Sequence, residues 1–159
     1  MTRLPTLGPR GEGWVAIQLL LLGLIFVAGF VGGGGWTREP RYATTILAAF
    51  LLLGGGALAL AGLLHLGESL TPLPHPRDGG RLVETGAYAL VRHPIYGGLV
   101  LGSLGYGLLC ASPLAIVGAL VLLGFFRLKS AREEIWLTER YPGYEAYAAR
   151  TKRMLPFIY

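Results

Sequence analysis

Cysteine is almost missing from this chain. Cys110 is the only one in 159 residues and lies inside an apolar run, which excludes a disulfide framework and reads as a small buried apolar residue. Charge is scarce as well. Only 14% of the residues are Asp, Glu, Lys or Arg, where a soluble domain carries about 25%. No G-x-G-x-x-G follows a strand, and the glycine run from Gly32 to Gly35 opens no strand–helix unit, so a phosphate-binding loop is excluded. His65, His75 and His93 follow no metal-ligand spacing, and no metal site is expected.

Apolar residues are plentiful instead. They make up 53% of the chain, beside 25 glycines and a mean hydropathy of +0.54. Glycine is frequent in membrane helices. The net charge of +5 could suggest nucleic acid. The basic residues, however, cluster beside apolar segments, which reads as membrane topology and headgroup contact.

The first apolar run, Trp14 to Val31, has 18 residues without a charge, enough to cross a hydrocarbon core of about 30 Å. A signal peptide with Arg3 and Arg10 as its basic start is the competing reading. Its apolar part would be about 7–15 residues, so this segment is expected to be retained. The second run, Ala43 to Leu66, reads as a second crossing, with Ala57 and Ala61 as a small-residue pair for close helix approach. The third, Ile95 to Phe126, has 32 residues and no charge. Ser112-Pro113 splits it into two arms, Pro94 to Ala111 and Pro113 onward. Gly98 and Gly102 form a G-x-x-x-G pair on the first arm. The second arm is expected to run on to about Arg140, leave the membrane, and break at Tyr141-Pro142-Gly143. Tyr144, Tyr147, Ala148 and Thr151 then predict a short interfacial helix, and Leu155-Pro156-Phe157-Ile158-Tyr159 closes the chain.

The fold class expected is therefore all-α: a polytopic membrane protein with four transmembrane helices, a tight C-terminal helical hairpin and a cytosolic helical extension. Residues 1–159 form one membrane domain. Residues 1–66 hold two N-terminal helices, 67–94 a cytosolic loop, and 95–159 the catalytic hairpin and tail. Four crossings put the N-terminus, the Gly67–Arg92 loop and the tail on one side, with two, three and seven Lys or Arg respectively, against Arg38 and Arg41 on the other. That bias makes both termini cytosolic, in what reads as a prokaryotic inner membrane.

The loop Thr71 to Arg92 is the richest polar region. Pro94 at a first helical position makes His93 the residue before the helix. Free backbone N–H groups there form an anion site, flanked by Arg92 and His93, with Tyr96 one turn on. Glu133 and Glu134 supply negative charge from the neighbouring helix. Tyr88 and Tyr96 could face a cation with their rings. This suits S-adenosylmethionine without singling it out. The plainer readings are headgroup contact for Arg-His-Pro, interfacial aromatics for the tyrosines, and a Lys129–Glu133 pair on a solvated helix face.

The stretch from Arg81 to Gly98, containing Glu84-Thr85-Gly86-Ala87-Tyr88 and Arg92-His93-Pro94-Ile95-Tyr96, resembles the isoprenylcysteine carboxyl methyltransferase family of membrane methyltransferases. So do Glu133-Glu134-Ile135-Trp136-Leu137, Tyr141-Pro142-Gly143-Tyr144-Glu145-Ala146-Tyr147 and Leu155-Pro156-Phe157-Ile158. The resemblance spans about residues 70 to 159; the first two helices match only in kind. It implies methyl transfer from S-adenosylmethionine without a Rossmann domain. It also implies that Leu82 and Val83 line the cofactor's adenosine, that Tyr88, His93, Pro94, Ile95 and Tyr96 form its main pocket, and that Glu133 closes it. His93, Arg92 and Glu133 are the catalytic candidates. Lys129 stands where eukaryotic members carry a substrate-binding arginine; lysine keeps the charge and loses the two-pronged geometry.

The partners implied are the lipid bilayer and a lipophilic or small methyl acceptor with a carboxylate, thiol or amine, and no nucleic acid. A sterol-type membrane reductase using NADPH is the rival enzyme reading. A small transporter or assembly subunit is the rival outside enzymes, although transporters place polar residues inside their helices.

Overall fold

The computed structural model describes residues 5–34 and 38–155, with the backbone alone for 38–41. Arg3, Gly35 and the closing segment 156–159 lie outside the described residues, as do the side chains of Arg38 and Arg41. Among the described residues six α-helices run in order: α1 Glu12–Val31, α2 Arg38–Leu66, α3 Ala87–Leu90, α4 Pro94–Leu109, α5 Pro113–Arg140 and α6 Tyr144–Arg150. A 3-10 turn, Gly67–Ser69, follows α2. Among the described residues there is no strand, only an isolated parallel bridge between Val91 and Lys152.

Among the described residues three helical segments are long and apolar enough to cross a bilayer, Glu12–Val31, Tyr42–Ser69 and Pro113–Arg140. Their outer faces are apolar: Leu24, Phe30, Ile46, Phe50, Leu53 and Leu64 are all exposed. In water such belts would aggregate; in hydrocarbon they need no cover. The chain is an integral membrane protein. With 16 residues α4 is shorter than these three segments, about 24 Å at 1.5 Å per residue.

Helix ends follow local chemistry. Ser112 caps α5 by accepting the Ala115 N–H at 3.3 Å, and Pro113 occupies the first turn, where its missing N–H costs nothing. Three residues, 110–112, join α4 to α5, and Ala111 sits in the left-handed region at φ 53°. This turn is tied to the end of α1: Ser112 Oγ donates to Ala28 O at 2.8 Å, and the Gly34 N–H donates to Cys110 O at 3.1 Å. Cys110 is half-buried at that turn rather than enclosed in an apolar run. The second arm ends at Arg140, as its pattern indicates, and Tyr141 caps it.

The α2–α4 seam is built from small residues, with the expected Gly98 and Gly102 on α4 but not the expected pair on α2. A Cβ on Gly55 would stand 2.7 Å from Gly98 O and 2.8 Å from Gly102 N. Ala48, Ala59 and Gly62 continue that seam against α4. Ala57 faces outward, and Ala61 is only half-buried. Helical periodicity puts positions 48, 55, 59 and 62 on one stripe and leaves 57 off it. Beneath the seam, Val100, Ala115, Leu122, Phe126 and Met154 form the core with Ile25 of α1. Among the described residues α1 packs on α5 and α4 and does not touch α2.

Candidate active site

The start of α4 is held by the chain's last described turn. Backbone N–H groups of Arg92 and His93 donate to Lys152 O and Arg153 O at 2.9 and 2.8 Å. Pro94 is the first helical residue and His93 precedes it. Thus the His93 N–H belongs to the fold and is not one of the free donors at the start of α4. The buried His93 ring stacks on Tyr96, centroids 5.4 Å apart, and Tyr96 stacks on Phe126 at 4.5 Å.

The two adjacent glutamates of α5 diverge, since neighbours on a helix point about 100° apart. Glu133 accepts the Tyr96 hydroxyl at 2.7 Å and lies 3.8 Å from His93 Nδ1. Glu134 is turned inward as a hub. It accepts from Arg92 Nε at 3.0 Å, His93 Nε2 at 3.1 Å and Arg153 Nη2 at 2.6 Å. Arg92 also donates to Ala148 O at 2.8 Å and to Thr151 O. Its guanidinium is therefore engaged in holding α6 and the tail while it borders the site.

Lys129 overturns the solvated-face reading. It is 1% exposed, and its ammonium donates to Gln18 Oε1 of α1 at 2.5 Å. It lies 4.9 Å from the Tyr96 ring centroid. One helical turn separates it from Glu133, yet Glu133 bonds Tyr96 instead.

These groups border a cavity of about 490 Å³. Leu82, Val83, Tyr88, Arg92, His93, Ile95, Tyr96, Lys129 and Glu133 all line it. Pro94 does not; its ring packs toward Gly62, where a Cβ would stand 2.9 Å from it. Sequence reasoning missed Gln18, Leu63, Leu66, Tyr144 and Tyr147, which also face the cavity. The three-residue spacing of Tyr144 and Tyr147 was visible, but it reads equally as an interfacial face. Gln18 carried a signal too, as an amide within an apolar run.

Tyr147 Oη donates to Tyr88 O at 2.7 Å. Burial pushes the Tyr147 phenol up to about 12. Burial, and then the Glu133 charge, raise Tyr88 further, while burial and then the Glu134 charge do the same for Tyr144. All three are neutral at physiological pH. The wall thus offers aromatic faces, the Glu133 carboxylate, the Lys129 ammonium and the guanidinium groups of Arg77, Arg81 and Arg92, around an apolar interior.

A second, shallower groove of about 310 Å³ continues along the same helices. Leu22 and Phe26 of α1, Gly55 and Ala59 of α2, and Gly98, Gly102 and Tyr106 of α4 line it. It lies between α1 and α2 with α4 as its floor.

The family profile described as phospholipid methyltransferase matches residues 43–143. Over 147 residues the chain is 30% identical to protein-S-isoprenylcysteine O-methyltransferase B of Arabidopsis thaliana, covering 90% of this chain and 74% of that protein. This chain belongs to the isoprenylcysteine carboxyl methyltransferase family. A probable protein-S-isoprenylcysteine O-methyltransferase of Oryza sativa subsp. indica is 36% identical over 86 residues, 53% of this chain and 45% of that protein. The match thus spans less than half of the rice relative. The family likeness also takes in the cobalt-zinc-cadmium resistance protein CzcN of Cupriavidus metallidurans, 31% identical over 145 residues, 89% of this chain and 61% of that protein. None of these relatives is named as a reductase or a transporter. The 90% coverage carries the family likeness into the first two helices, beyond the 70–159 stretch that the motifs mark.

Proposed function

We propose that this chain is a membrane-embedded methyltransferase that takes S-adenosylmethionine into the 490 Å³ cavity and methylates a lipophilic or small acceptor. The observation that carries the reading is the Tyr96–Glu133 bond of 2.7 Å in the cavity wall. It brings the two separated family motifs onto one space. The cavity's size falls within the range of about 300–1,000 Å³ usual for small-molecule sites.

The residues present fit the cofactor. Glu133 is the counter-charge for an ammonium. The rings of Tyr88 and Tyr96 suit a sulfonium cation. Leu82 and Val83, with Leu63 and Leu66, supply an apolar wall for adenosine. Pro94 shapes the pocket by setting the start of α4, and Ile95 lines it. His93 keeps Tyr96 aligned through the ring stack, and Arg92 holds α6 against the site. Lys129 is the substrate-side cation.

When bound, S-adenosylmethionine supplies an activated methyl group; the acceptor's lone pair forms the new bond to carbon as the carbon–sulfur pair returns to sulfur. The chain's task is to align the acceptor and exclude water. A carboxylate or thiolate acceptor needs no base. His93 donates to Glu134 and is buried, so the reading assigns it orientation rather than proton abstraction.

The same reading has four crossings, α4 and α5 forming a hairpin, and both termini in the cytosol of a prokaryotic inner membrane. Twelve basic residues against two support that orientation. The 67–94 loop covers the cavity from the cytosolic side. The groove between α1 and α2 is the acceptor's route from the bilayer.

Calorimetric titration of the detergent-purified protein with S-adenosylmethionine tests this. Micromolar binding, weakened about ten-fold or more by Glu133→Gln, is the expected result. No binding by the wild type, or binding of NADPH in its place, would overturn it.

A further inference from the structure

Of the tyrosines that line the cavity, Tyr96 and Tyr147 commit their hydroxyls within the fold, to Glu133 and to Tyr88 O. Tyr144 does not. It is 2% exposed, its hydroxyl is enclosed, and nothing among the described residues bonds it. A buried donor left without a partner is destabilising, and folded proteins leave few. Nor is the ring loose. It stands edge-on to Tyr147, centroids 5.8 Å apart, and Tyr147 is itself fixed by its bond to Tyr88 O.

The surroundings say what could satisfy that hydroxyl. Besides burial, the charges that act on it are those of Glu134, Arg92 and Glu133. Glu134 is already engaged by Arg92, His93 and Arg153. Arg92 gives Nε to Glu134 and Nη1 to Ala148 O and Thr151 O, and its Nη2 bonds nothing among the described residues. A neutral phenol and a guanidinium with donors to spare therefore share one corner of the wall, beside Glu133. The other cations of the cavity are placed differently. Lys129 is held by Gln18 of α1, Arg77 donates to Glu68 O, and Arg81 is exposed on the loop.

An amino-acid group carries its ammonium and its carboxylate on one carbon. With the ammonium on Glu133, the carboxylate lies within a few bonds of a like charge, which repels it. It needs hydrogen-bond donors at that corner, and a phenol supplies one without adding negative charge. We infer that Tyr144 is a cofactor-binding residue whose hydroxyl donates to the α-carboxylate of S-adenosylmethionine, with Arg92 Nη2 as the charged donor beside it. This rests on the methyltransferase reading. It also links cofactor binding to the docking of α6, because Tyr144 begins α6 and Arg92 holds that helix through Ala148 O.

The test titrates full-length protein in detergent with S-adenosylmethionine and with decarboxylated S-adenosylmethionine, which keeps the sulfonium and the ammonium. Wild type is expected to bind the complete cofactor about ten-fold tighter or more. Tyr144→Phe is expected to weaken the complete cofactor by about ten-fold and to leave the decarboxylated one within about two-fold. In the ligand-free protein the same variant should melt at the wild-type temperature or above it, since it removes a buried donor that has no partner. Equal affinity of wild type for the two ligands would overturn the inference. So would a Tyr144→Phe protein that loses both ligands alike, or neither. A lower ligand-free melting temperature with unchanged cofactor affinity would make the hydroxyl structural and overturn it too. Failure of wild type to bind either ligand would strike the methyltransferase reading itself, and this assignment with it.

Discussion

The phenol of Tyr96, near the start of α4, donates to the carboxylate of Glu133, on α5, at 2.7 Å, and both face one cavity. Thirty-seven positions apart in sequence, they meet because α4 and α5 fold back on each other across three residues. Glu133→Gln is expected to weaken S-adenosylmethionine binding by about 1.5–3 kcal/mol, the range for a hydrogen bond to a charged group. Tyr96→Phe keeps the stack and loses only the hydroxyl, so it should cost less. Calorimetry that found Tyr96→Phe the more damaging would put the cofactor's ammonium elsewhere.

Glu134 should behave as a structural residue. Its side chain is 14% exposed and that of Arg92 10%. Glu134→Ala leaves Arg92 buried without its carboxylate, a change of about 3–5 kcal/mol for broken buried pairs. Thermal unfolding in detergent should show a large loss, and protease should release the C-terminal segment first. Unchanged stability would mean that α6 is held by other contacts.

The groove makes a steric prediction. A Cβ on Gly102 meets nothing within 4 Å, whereas one on Gly55 would stand 2.7 Å from Gly98 O. Gly102→Leu is therefore expected to fill the groove at little cost in stability and to reduce methylation of long-chain acceptors, with short-chain acceptors and cofactor affinity unaffected. Gly55→Leu should destabilise the protein outright. Equal turnover of long and short acceptors by Gly102→Leu would exclude this groove as the route.

Alkaline pH should loosen α6. The Tyr147 phenol is raised from 10.0 to about 12 in the folded chain. Its neutral form is favoured by folding, so its contribution is complete below pH 10 and lost as pH rises from 10 to about 12. Melting temperatures measured across that window should fall, and Tyr147→Phe should flatten the fall. Phenolate absorbance appearing at pH 10 for every tyrosine would contradict the burial.

Much of this was legible in the linear sequence. Scarce charge and long apolar runs marked the membrane helices, because hydrocarbon admits few other segments. Pro94, Ser112-Pro113 and Tyr141-Pro142-Gly143 marked helix boundaries through backbone chemistry alone. The motif around Arg92-His93-Pro94-Ile95-Tyr96 marked one wall of the cavity. Ala57 and Ala61 misled, because one small-residue spacing fits several stripes of a helix and only the partner selects among them.

The sequence by itself determined the five longer helices, where they stop, and which residue types line the cavity, but left α3 and the 3-10 turn inside a loop. Tertiary structure decided their roles. It turned Glu133 toward the cavity and Glu134 toward Arg92, His93 and Arg153. It also carried Gln18 of α1 to Lys129 across 111 positions. Local patterns report a residue's propensity and face, whereas a charge acquires its role from the partner that packing delivers.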